Sequence, residues 1–254
     1  EKRLETVLDE LAYLPQGGTA VGTGVNAASE FAKQFVKFLK MNTGFSFKSL
    51  EHKFVGISAV DAPLSLSAQM RGVAVVLTKI ANDLRWMNSG PIHGLAEISL
   101  PALQPGSSIM PGKVNPVIPE SVAMASAQVM GLDAAVAIAG QSGNFQLNAM
   151  LPLFAGNLLD MIKLMSGAAG ILADKSIQGF TVNTDHLSDG VSRNPVLVTA
   201  LNPEIGYALA SEIAKEAYST GRPVIDVAEE RSGLSRARLE ELMDPLKLTR
   251  GGLA

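Results

Sequence analysis

Cysteine is absent from the 254 residues. That excludes disulfides, thiolate zinc sites and cysteine-ligated iron–sulfur clusters. Histidine is scarce: His52, His93 and His186 lie far apart without ligand-like spacing, so no metal site is expected. Charged residues make up only 18%, the net charge is -3, and no polybasic run occurs. This argues against nucleic acid or an anionic membrane surface as the partner. No apolar run of bilayer length is free of charges or polar breaks, so no membrane span is expected. A signal-peptide pattern is missing too. So is sustained alternation of apolar and polar residues, which removes strands as the main element.

What is abundant is aliphatic. Hydrophobic residues reach 47%, and with so little charge the helices are expected to be buried on several faces, as in oligomers. Leu4, Val7, Leu8, Leu11 and Leu14 recur at helical spacing until Pro15-Gln16-Gly17-Gly18. Because residue 1 is Glu and this helix is already under way there, the chain is expected to be part of a longer protein. Ala27 to Met41 places Phe31, Phe35 and Phe38 on one helical face, and Asn42-Thr43-Gly44 ends it. Residues 42–63 read as irregular. Long helices are predicted over 64–88, 117–138 and 147–173. The second is nearly apolar all round and so is expected to be covered on all sides. Three or four long helices imply a bundle.

After about residue 175 the punctuation by Gly and Pro becomes dense, and short helices are predicted over 203–218, 223–230 and 235–243. Ser235 is the expected N-cap of the last, with Leu239 and Leu242 inward. The reading is an all-α chain, with a helical-bundle domain over 1–180 and a small helical domain over 181–254.

Residues 91–115 form a long loop rich in Gly, Pro and Ser, a length that is usually functional. Within it runs Gly106-Ser107-Ser108-Ile109-Met110-Pro111-Gly112-Lys113-Val114-Asn115-Pro116. A serine removes a proton only if its oxyanion is stabilised by amides or a cation. Closely spaced amides at 106–108, the charge of Lys113 and the N-terminus of the following helix supply such stabilisation. Lys113 and Asn115 together suit a carboxylate, through one charge-assisted and one neutral hydrogen bond. The residue types fit a small dicarboxylate. The same residues also suit a plain linker with a helix cap. Likewise Glu120 suits a helix-dipole partner as well as a catalytic group. The run Gly17-Gly18-Thr19-Ala20-Val21-Gly22-Thr23-Gly24 lacks the Gly-Lys-Ser/Thr of a phosphate loop and reads as a close-packed turn near the site. His93 is read as structural, His52 and His186 as surface or capping residues, Asn144 and Asn148 as buried polar groups at a helix boundary, and Trp86 as packed or interfacial.

The run 106–116 resembles, without a gap, the third signature region of the fumarase/aspartase superfamily. Further segments resemble class II fumarases: 17–24, Asn82 to Trp86 with Ser89-Gly90-Pro91, 94–101, Ser142 to Asn148, and Val198 to Asn202 with Ile205-Gly206-Tyr207. The resemblance extends over essentially the whole chain. Gly112 before Lys113 resembles fumarases, where aspartases usually carry Ala.

The resemblance implies a hydro-lyase that interconverts malate and fumarate plus water by anti elimination. Ser107 is implied as the base and Glu120 as an acid modulating a catalytic histidine. Ser108, Lys113, Val114 and Asn115 are implied as substrate-binding residues. No metal and no cofactor are implied. Fumarate or malate is the expected ligand, and a homotetramer with sites shared between subunits is expected, in the cytoplasm or, in a eukaryote, the mitochondrial matrix. Nucleic acid and membrane are not expected as partners. Two other signature regions of the family lie upstream of Glu1, so the isolated chain is expected to be inactive. Alternative readings are an aspartate ammonia-lyase or another superfamily lyase, and a non-catalytic helical oligomerisation module.

Overall fold

The computed structural model describes residues 2–251 apart from Pro105, Ser107, Ser108 and Pro111. The chain divides into two compact units: residues 1–88 with 100–180, and residues 89–99 with 181–254.

The first unit opens with α1 (Lys2–Leu11), whose Val7 is buried. The predicted helix stops short of residue 14, because Tyr13–Leu14 (β1) pairs in parallel with Lys48–Ser49 (β2). The glycine-rich turn that follows packs on α3 (Lys53–Ser58). A Cβ on Gly22, at φ 91°, would lie 2.7 Å from the Phe54 ring, so this position needs glycine for both space and conformation. Residues 42–63, read as irregular, therefore contain a strand and a helix. α2 (Phe31–Thr43) ends at Gly44 in the left-handed conformation, as its sequence demands. Its phenylalanine face is not covered within the chain: Phe31 and Phe38 are exposed.

Three long helices follow: α4 (Asp61–Met87), α5 (Val117–Gly140) and α6 (Leu151–Leu172), packed mutually in an all-α bundle. A π-helical turn, Ala173–Ile177, extends α6. In α5 the buried residues are Pro119, Val122, Ser126, Val129, Asp133, Val136 and Ala139. Their spacing of three or four residues is the seam of one helix against its neighbours. The remaining faces are half-buried or exposed in the chain, with Met124 and Ile138 among the exposed residues. The expectation that α5 is covered on all sides is therefore not met within one chain. By length and composition α5 is also apolar enough to cross a membrane, a test that the core helix of a soluble protein passes as well; the run is not free of charge, since it carries Glu120 and Asp133.

One buried polar cluster crosses the bundle. The Ser67 hydroxyl donates to Asp133 Oδ1 at 2.6 Å, and Arg71 Nη1 donates to Asp133 Oδ2 at 2.8 Å. Asp133 and Ser67 are buried, whereas the Arg71 side chain is half exposed. A carboxylate is retained in the core because two donors satisfy it.

The second unit contains β3 (Ile98–Ser99), antiparallel to β4 (Thr181–Val182). Segment 89–99, counted with the first domain from the sequence, thus belongs to the second unit through this pair. Beyond β4 come α7 (Thr184–Ser192), a 3-10 helix (Pro195–Leu201), α8 (Asn202–Thr220), α9 (Val224–Ser232), α10 (Arg236–Leu242) and α11 (Pro245–Leu248). The Ser235 hydroxyl accepts from the Arg238 N–H, and Leu239 and Leu242 are buried, as read from the sequence. The core joins Leu197, Val198, Leu201, Ile213, Val224, Val227 and Leu239. Gly206, at φ 77° and ψ 158°, interrupts α8, a break that the helical spacing did not reveal.

Candidate functional site

The candidate site is the run from Gly106 to the first turn of α5. Gly106 lies against Lys113: a Cβ there would sit 2.2 Å from the Lys113 carbonyl oxygen. Only glycine lets the two strands of the loop approach so closely, so the run closes on itself. The Lys113 N–H donates to the Met110 carbonyl at 3.2 Å, forming a turn across Gly112, which is at φ 80°. A small loop thus presents Lys113 at its closing end.

Lys113 and Val114 are exposed and Asn115 is half-buried. The Asn115 carbonyl accepts the Val117 N–H at 2.9 Å, and the Pro116 carbonyl accepts the Glu120 N–H at 3.1 Å. These bonds start α5 directly after the run. Glu120, half-buried, stands in its first turn. The structure therefore gathers Lys113, Val114, Asn115 and Glu120 around one helix N-terminus, where amide donors and the helix dipole favour an anion. Pro116, at the N-cap position, makes no side-chain cap bond. Ser107 and Ser108, the expected base and its neighbour, lie outside the described residues. Chemically, the described part offers one free-reaching ammonium, one amide and one carboxylate at the mouth of a loop, a set suited to holding a small carboxylate.

The secondary candidates divide. Asn148 is buried at a helix boundary, as expected; its amide donates to the Ala139 carbonyl at 2.9 Å and its oxygen accepts the Met150 N–H. Asn144 is instead exposed, donating to the Ser142 carbonyl. Trp86 is 68% exposed. His93 is exposed. His52 stands at the N-cap position of α3 without a side-chain cap bond. His186 Nε2 donates to the Leu95 carbonyl at 2.8 Å, a tether the sequence reading did not find. The glycine-rich turn is close-packed against α3. Among the described residues no cluster of three or more His, Asp or Glu side chains is placed to hold a metal. Sequence reasoning also missed Asn88 and Asn183, described below. The available signal was an asparagine directly after a helix end and one directly before a helix start.

Residues 1–131 match the family described as Lyase, and residues 197–250 that described as Fumarase C C-terminus. The chain is 60% identical over 250 residues to fumarate hydratase class II 2 of Pseudomonas aeruginosa, covering 98% of this chain and 55% of that protein. It is 55% identical to fumarate hydratase class II of Xylella fastidiosa strain 9a5c, covering 100% and 54%. The chain thus spans about half the length of the curated relatives it matches. Among solved structures, class II fumarase from Schistosoma mansoni superposes with a TM-score of 0.91 at 33% identity, over 97% of this chain and 55% of that one. A fumarate lyase:delta crystallin from Brucella melitensis does so with a TM-score of 0.91 at 43% identity, over 97% and 54%. The signature run, the three-helix bundle and these matches agree: the chain belongs to the lyase family and is similar along its length to class II fumarate hydratases.

Proposed function

We propose that this chain supplies the signature loop and C-terminal part of a hydro-lyase that interconverts malate and fumarate plus water. The observation that carries the reading is the unbroken run 106–116, opening α5 in a chain 60% identical to a class II fumarate hydratase.

In this reading the Ser107 oxyanion takes the proton from the carbon next to one malate carboxylate. The electron pair left on that carbon spreads into the carboxylate, giving an aci-carboxylate with more negative charge than the ground state. Lys113 and Asn115 hold that carboxylate, so their attraction is greatest as charge develops, and the barrier falls. The hydroxyl on the adjacent carbon then leaves from the opposite face as water, taking its proton from a general acid contributed by another part of the assembled site, and the double bond of fumarate forms. Ser108 and Val114 line the bound substrate. Glu120 adjusts a histidine contributed from outside these 254 residues. The assembly is a homotetramer in the cytoplasm, with each site shared between subunits; the uncovered faces of α5 and α6, with Met124, Ile138 and Leu159 exposed, support association.

The test is reconstitution. The chain is co-expressed with the N-terminal half of the Pseudomonas aeruginosa relative, and malate, aspartate and argininosuccinate are offered separately. Fumarate from malate alone, abolished by Ser107→Ala with assembly intact, is the expected result. Fumarate from aspartate instead refutes the hydro-lyase reading, and assembly without activity on any substrate refutes catalysis. The chain alone is expected to show no turnover.

A further inference from the structure

Segment 89–99 is an Ω-loop with an unusual division of its attachments. Its neck belongs to the first unit. α4 ends at Asn88, whose Oδ1 accepts the Leu100 N–H at 2.8 Å, so the residues on either side of the segment are tied together. Its body belongs to the second unit. The body is preformed: the Ser89 carbonyl accepts the Ala96 N–H at 2.6 Å, and Ser89 Oγ accepts the Leu95 N–H at 3.0 Å. Gly94 passes so near Ser89 that a Cβ would lie 2.2 Å from its carbonyl carbon.

What holds the body is polar and concentrated on a few consecutive residues. Ile98 and Ser99 pair with Val182 and Thr181. The Asn183 amide Nδ2 donates to the Ala96 carbonyl at 2.7 Å, its Oδ1 accepts the Ser99 hydroxyl at 3.2 Å, and its backbone N–H donates to the Glu97 carbonyl at 3.0 Å. His186 adds its bond to Leu95. Apolar support is slight: Ile98 is the only buried hydrophobic residue of the segment, while Ile92 is 82% exposed. A segment held by a few hydrogen bonds and one buried apolar side chain opens more readily than the core on which it lies.

We infer that Ser89–Ser99 is a latch with its own local opening, clasped by Asn183. Asn183 is a positioning residue here, because it holds the segment at Ala96, Glu97 and Ser99. This inference stands apart from the reaction proposed above, since its readout requires neither substrate nor turnover.

The experiment is amide hydrogen exchange, read residue by residue, on the 254-residue chain and its Asn183→Ala variant. The substitution removes two side-chain bonds and keeps the backbone one. Exchange at Leu95, Ala96 and Asn183 is expected to accelerate roughly tenfold or more, while Ile213 and Val227 in the second core are unchanged. Ser99→Ala and His186→Ala, which each remove one bond, are expected to give a few-fold acceleration at the same amides. If Asn183→Ala does not fold, the two single-bond variants decide the matter. Unchanged exchange at the three amides, or equal acceleration throughout the second unit, overturns the latch.

Discussion

Asp133 lies in the seam of α5 with both oxygens engaged, by Ser67 of α4 on one side and Arg71 of α4 on the other. The consequences of removing it differ for its two partners. Arg71 is half exposed, so its guanidinium turns to water at little cost. Ser67 is fully buried, and its hydroxyl keeps only the Met161 sulfur at 3.8 Å. An unsatisfied buried hydroxyl costs about 1–3 kcal/mol, and the lost bonds to a charged acceptor about as much again. Relief of the carboxylate's own desolvation offsets part of this. Asp133→Ala is therefore expected to destabilise the first unit by about 3 kcal/mol. The double substitution Ser67→Ala/Asp133→Leu removes the orphaned hydroxyl and refills the volume, and should return to within about 1 kcal/mol of wild type. Urea unfolding followed by far-ultraviolet circular dichroism measures both. A loss under about 1 kcal/mol for Asp133→Ala, or a double variant no better than the single, would refute the reasoning, because the cost would then not arise from unsatisfied polar groups.

In the reconstituted protein, Lys113→Ala is expected to lower fumarate formation from malate by roughly a hundredfold or more, with unfolding unchanged because Lys113 is exposed; equal activity would remove Lys113 from the carboxylate clamp. Gly106→Ala should lower the same activity at least roughly tenfold, since the new Cβ meets the Lys113 carbonyl and misplaces the loop; an active variant would mean that the loop accommodates it. In the second unit, hydrogen bonding from Arg222 holds the Glu230 carboxyl below its ordinary range, and hydrogen bonding from Arg238 does the same to Glu241. A carboxyl with a lowered folded pKa binds fewer protons folded than unfolded, so its contribution is complete above about pH 4.5 and is lost as pH falls through the lowered value. The melting temperature of the second unit should therefore drop below about pH 4.5, and Glu230→Gln should shallow that drop; an identical pH profile in the variant would count against the pairing.

The sequence by itself determined the helical architecture, because period-3.6 apolar spacing and Gly or Pro stops are local signals. α4, α5, α6, α9 and α10 lie close to the predicted ranges, and Ser235 caps where its hydroxyl and its position foretold. The residue types of the candidate site were also legible, since Gly106, Lys113, Asn115 and Glu120 are neighbours along the chain. Tertiary structure alone decided the rest. Two-residue strands such as β3 and β4 have no period to read and exist because Ile98 and Val182, 84 positions apart, meet. That pairing moved residues 89–99 into the second unit. The incomplete burial of α5 was hidden for a similar reason: its apolar composition is the same on every face, and only the packing of α4 and α6 selects the stripe that is buried. The partners of Asp133, Asn88 and Asn183 were invisible because a polar side chain carries no local mark of which distant donor will satisfy it.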